Sequence, residues 1–217
     1  MGLARGAAVA VALAALALLG GCAEGVDRKA TPDELRSVLI RASSVPGYRL
    51  QRTLLWDRPA DVVFEALRLP ESTRRSHAIR FLEKQGFQAG AGQWLTDDRG
   101  AQVRLAAIEL GSISGARNLH GYARAEAFEQ PCWGVCGQQA SEFDVGGMPG
   151  ASGIQQRPLG DRLPIDPRPF TSFQIAFTRG KRLYLVVAVG PPGMRSDAAM
   201  AAAGALYHRA TGKAPGT

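Results

Sequence analysis

From Ala7 to Leu19 the chain is apolar without interruption, whereas beyond residue 30 apolar and polar positions recur at two periods that mark out the elements. Leu35, Val38, Leu39 and Ala42 recur at i, i+3, i+4 and i+7 behind Thr31-Pro32-Asp33-Glu34. That start is a capping box with proline at the first helical position, and it predicts a short helix stopped by Ser43-Ser44-Val45-Pro46-Gly47. Tyr48–Trp56 reads as a strand, with Asp57 as cap of a second helix running to about Leu69. Ser72 is placed to cap a third, with Ala78, Ile79, Phe81 and Leu82 on its apolar face and Gly86 at its left-handed C-terminal position.

The second period is two. Phe87–Thr96 and Ala101–Leu110 flank Asp97-Asp98-Arg99-Gly100, a hairpin signal, and Ser112 or Ser114 introduces a helix over Ala116–Phe128 that tolerates Gly121. Ser141–Val145, the turn Gly146–Gly150 and a return strand Gly153–Arg157 follow, then a loop with Pro158, Pro164, Pro167 and Pro169. Phe173, Ile175 and Phe177 alternate with polar or small residues up to the turn Arg179-Gly180, and Leu183–Val189 completes a core hairpin. Ser196 is expected to cap an alanine-rich helix, Asp197–Ala210, that Gly212 ends. Hairpins interrupted by helices predict an α+β class: an antiparallel, twisted sheet with helices packed against it. The order hairpin then helix occurs twice, and Arg99–Leu105 aligns with Arg179–Leu185 at an offset of 179 − 99 = 80 residues. A duplicated ββα unit and chance convergence of two hairpins both account for this.

The opening segment changes the picture from fold to address. Arg5, the apolar run 7–19 and Gly20-Gly21-Cys22 have the layout of a secretory signal, and the run is shorter than the roughly 20 residues that span a bilayer. Leu19-Gly20-Gly21-Cys22 resembles the lipobox of bacterial lipoproteins. That resemblance implies cleavage after residue 21, lipidation of Cys22 and a place on the extracytoplasmic face of the cell membrane, a stable anchor when two or more acyl chains are carried. Residues 22–30 then form a lipidated tether, 31–212 a single α+β domain and 213–217 a flexible C-terminus. The chain has 26 basic and 19 acidic residues, net +7, and loss of Arg5 with the signal leaves +6. Export and the scatter of the cations exclude nucleic acid as the physiological partner; anionic lipid headgroups or wall polymers are the better counter-charges. Arg74 and Arg75 are candidate binding residues in the densest cluster, with Arg80 and Lys84. In a first helical turn they oppose the macrodipole, which calls for an anion or acidic neighbour, unless they are simply a solvated face.

Cys132 and Cys136 remain after Cys22 is lipidated, and an even count in an exported chain favours a disulfide, which Gly134 allows geometrically. Free thiols, a metal site and redox chemistry are the alternatives. Trp133 between them is a candidate contact residue or a lid on the disulfide, whereas Trp56 and Trp94 at strand ends are expected in the core. No catalytic residue is assigned: GxSxG, HExxH, Walker and dinucleotide-type patterns are missing from the sequence, and Asp97 and Asp98 suit a turn. His77, His120 and His208 lie apart, so no metal or cofactor is expected.

Ser44-Val45-Pro46-Gly47-Tyr48, Gly146-Gly147-Met148-Pro149-Gly150-Ala151 and the closing hairpin with its alanine-rich helix resemble secreted actinobacterial lipoproteins with a sensor-type or PsbP-like α/β domain. The resemblance implies a non-enzymatic envelope protein and supplies no catalytic residues. The expected function is a membrane-tethered module binding a ligand or an envelope protein. An envelope enzyme, a thiol-redox protein using Cys132 and Cys136, and a lipid carrier are the alternatives.

Overall fold

The computed structural model describes residues 31–67, 72–129, 138–158 and 170–213. Seven strands form one antiparallel sheet: β1 Arg49–Trp56, β2 Ala89–Thr96, β3 Gln102–Glu109, β4 Gln138–Phe143, β5 Ser152–Pro158, β6 Thr171–Arg179 and β7 Arg182–Gly190, in the order β1-β2-β3-β7-β6-β5-β4. The helices are α1 Pro32–Arg36, α2 Pro59–Val62 with a π-helical continuation Val63–Leu67, α3 Ser72–Lys84, α4 Ile113–Glu129 and α5 Asp197–Thr211. The α+β class read from the sequence is the class observed. Among the described residues no helix is long and apolar enough to cross a membrane.

Both faces of the sheet are covered, which explains why β7 is apolar at nearly every position. On the first face, Val103, Leu105, Phe173, Ile175, Tyr184 and Val186 meet Leu35 of α1, Leu39 just beyond it, and Ala199, Ala202, Ala203 and Leu206 from α5. Alanine at three buried positions lets α5 lie close on the sheet, as the sequence predicts, and Tyr207 meets Phe177 edge-on at 5.2 Å. On the second face Ala106, Ile108, Leu183, Leu185 and Val187 meet Val62 and Val63, Ala78 and Leu82 of α3, and Leu119 of α4. The two ββα units, β2-β3-α4 and β6-β7-α5, thus send their helices to opposite faces. Leu105 and Leu185, matched by the 80-residue offset, face opposite sides.

Trp56 belongs to the core, 2% exposed, because β2 offers glycine beneath it. A Cβ on Gly90 would lie 2.7 Å from Trp56 Cε3, and one on Gly92 would overlap the indole, 2.8 Å from Cζ2. Trp94, expected in the core, is only part-buried: the Arg52 and Arg104 guanidiniums lie 3.7 and 4.7 Å from its ring centroid.

Local chemistry explains the departures from expectation. The capping box forms, with Thr31 N donating to Glu34 Oε2 at 2.8 Å and Glu34 N to Thr31 Oγ1 at 3.3 Å. The helix nonetheless ends at Arg36, where Ser37 Oγ donates to the Glu34 carbonyl and the next amides, of Val38 and Leu39, bond to residues three back. Asp57 does not cap α2; Pro59 sets its first position and holds Arg58 extended, the guanidinium reaching Asp61 instead. β4 runs over 138–143, and Val145 is buried within the turn that follows.

One turn recurs at Val45-Pro46-Gly47-Tyr48, Met148-Pro149-Gly150-Ala151 and Pro191-Pro192-Gly193-Met194. In each, the fourth residue's amide donates to the first residue's carbonyl at 3.0–3.1 Å and glycine takes φ of 79–80°. Proline then glycine at the two central positions is what a type II turn demands. Two of these turns carry the phrases on which the family resemblance rests, and the third leads into α5.

Candidate functional site: a donor-lined cleft at the start of the last helix

The turn 191–194 ends the last strand abruptly, and Met194 packs so closely over Gly190 that a Cβ there would overlap its sulfur. The chain then enters α5 at Ser196. Its side chain makes no capping hydrogen bond, contrary to the sequence expectation, and its backbone is already helical, with φ −73° and ψ −5°. The first-turn amides of a 15-residue helix therefore lack the oxygen that an N-cap normally supplies.

An open cleft of about 710 Å³ lies beside this helix start, within the usual range for small-molecule sites. Its apolar wall is Phe143, Phe173 and Met194, the two rings meeting edge-on at 5.6 Å. Pro158 and Thr171, the last residue of β5 and the first of β6, also line it. Its charged lining is Arg157, Arg195 and Asp197, the last two paired at 3.2 Å.

Gln155 is the unusual member. It sits on β5 between Ser141 of β4 and Phe173 of β6, is 6% exposed, and its Nε2 has no hydrogen-bond partner among the described residues. Its neighbour Gln156, pointing to the other face, is fully used: Nε2 donates to the Ala127 carbonyl at 2.7 Å and Oε1 accepts from Ser172 Oγ at 2.9 Å. With Gln174, which donates to the Ala123 carbonyl at 3.0 Å, it ties the sheet to α4. Buried amides are normally satisfied in this way. Gln93 also has an unpartnered Oε1, but it lies in β2, away from this cleft.

A second open cleft, of about 720 Å³, lies between α4 and the β4–β5 hairpin. There His120 Nε2 and Ser152 Oγ are 2.7 Å apart, and burial, then the Arg124 charge, hold the imidazole below its usual range. Arg124 pairs with Glu142, so the lining is largely self-satisfied. Among the described residues no group of three or more metal-binding side chains gathers.

The sequence-predicted candidates Arg74 and Arg75 lie elsewhere, on α3. Arg74 approaches Glu126 of α4 at 3.8 Å, the kind of acidic neighbour its place in a first helical turn requires, and Arg75 lies 5.0 Å over the Phe64 ring. Cys22, Cys132, Trp133 and Cys136, and the loops 131–137 and 159–169, lie outside the described residues. Asp97 is a turn residue as expected, its Oδ1 accepting from the Arg99 and Ala101 amides at 2.9 and 2.8 Å. Gln155 and Arg157 were missed. The available signal was Gln155-Gln156 inside a strand, since consecutive polar residues put one on each face of a sheet covered on both sides.

No protein-family model matches the chain, and no curated protein matches it. Among solved structures it is similar to the extracellular domain of PknH from Mycobacterium tuberculosis, with a TM-score of 0.55 and 11% identity over 86% of this chain and 100% of that one. At that identity the likeness is one of fold alone.

Proposed function

We propose that this chain is a non-catalytic ligand-binding module of the cell envelope, tethered to the membrane through lipid on Cys22, and that its ligand occupies the cleft at the start of α5. The observation that carries this reading is Gln155: a buried amide donor without a partner, on a strand whose next glutamine is fully satisfied, in the wall of an open cleft. Leaving such a group unpaired costs about 1–3 kcal/mol, a cost that a ligand oxygen would remove. The lipobox-type leader and the fold shared with an extracellular domain support the location.

Native mass spectrometry of the chain, released from its own envelope without detergent by proteolysis within residues 22–30, tests the reading. A bound small molecule is expected on the wild type and is lost on Gln155→Met. No adduct on the wild type, or one retained by the variant, would overturn it.

A further inference from the structure

We infer that the cleft recognises a compact oxyanion, phosphate or carboxylate, carried on an apolar chain. This rests on the cleft being the ligand site and names the chemistry of its occupant. Three independent features offer hydrogen to a ligand. The first turn of α5 presents amides that Ser196 does not cap, at the positive end of a 15-residue helix. Gln155 Nε2, buried and unpartnered, is a donor of the same kind. Arg157 lines the same space, is exposed, and makes no ion pair with any described residue.

The acceptor side is thin. Among the described lining residues Asp197 contributes the one carboxylate, and Arg195 engages it at 3.2 Å, so their charge is two cations against one anion. A cationic ligand would compete with Arg195 for that carboxylate and leave all three donors unmatched. A wholly apolar ligand would leave Gln155 Nε2, already shielded from water, without an acceptor. A small inorganic anion would leave the half-buried Phe143 and Met194 uncovered in a space of about 710 Å³. An oxyanion on an apolar chain meets both walls. The second cleft offers no comparable set, because Arg124 is already neutralised by Glu142 and His120 is bonded to Ser152.

Isothermal titration of the exported chain with hexyl phosphate, hexanoate, inorganic phosphate and hexan-1-ol tests the inference. ¹⁵N spectra of the Asp197–Ala199 amides and the Gln155 side chain report where each probe sits. Hexyl phosphate or hexanoate is expected to bind at least about ten-fold tighter than hexan-1-ol and than inorganic phosphate, and to shift those amides. Gln155→Met and Arg157→Gln are each expected to weaken the tighter probe by about ten-fold, while Arg179→Gln, at the opposite end of β6 from Thr171, changes it by less than about two-fold.

Equal binding of hexan-1-ol would overturn the charge requirement and leave a neutral-ligand cleft. Equal binding of inorganic phosphate would overturn the apolar requirement. If no probe binds while the native chain carries a mass adduct, the ligand class is wrong and the cleft reading stands; with neither, both fall.

Discussion

Replacing Gln155 by methionine should make the ligand-free protein more stable while removing its function. Methionine keeps the length and unbranched shape of glutamine, so its packing beside Phe173 is preserved, but it removes the amide that no described group satisfies. The penalty for such a group is about 1–3 kcal/mol. For a domain of this size that corresponds to a rise in Tm of about 2–12 °C, at roughly 2–4 °C per kcal/mol. Differential scanning calorimetry of both proteins, each shown by mass to be free of adduct, reads the change. A variant that melts at or below the wild-type temperature would refute the reasoning, because the amide would then be contributing a bond that the account denies.

Three further outcomes follow from the fold. Gly92→Ala forces a methyl into the Trp56 indole and should destabilise by about 2–3 kcal/mol, measured as a lower urea midpoint at unchanged slope; a neutral result would show that the ring can slide off its glycine bed. Glu109, 8% exposed, is ion-paired to Arg182 directly across the β3–β7 ladder, so Glu109→Gln should cost about 1–3 kcal/mol in the same assay, and an unchanged midpoint would reject the pair as a central-sheet contact. For His120 the folded pKa lies below the ordinary 6.5, so between those two values the unfolded chain binds more protons and stability falls as pH drops below about 6.5. His120→Gln should therefore lose less stability than wild type between about pH 6.5 and 5; equal acid slopes would contradict the burial argument.

What could be read in advance divides along the range of the interactions. Turns and alternation are local: the Gly146–Gly150 turn and the Asp97–Gly100 hairpin signal form where the residues predict, because glycine's left-handed φ and proline's fixed one need no distant partner. Helix starts were legible only in part. Thr31 caps α1, yet Pro59 displaces Asp57 at α2, and Ser196 has the right identity at α5 but makes no capping bond. Tertiary contacts were out of reach. The seat of Trp56 depends on β1 lying beside β2, so that Gly90 and Gly92 fall under its ring. The candidate site was the least legible of all. Gln155 and Gln156 are identical in sequence terms, and what separates them is that α4 brings carbonyls to one face, whereas an open cleft borders the other.

Whether the cleft beside α5 is the ligand site is read from a crystal structure of the chain released from its own envelope without detergent by proteolysis within residues 22–30. A bound molecule is expected there, with an oxygen within hydrogen-bonding distance of Gln155 Nε2 and of the first-turn amides of α5. Ordered water alone at Gln155, or a ligand seated instead beside His120 and Ser152, would contradict it.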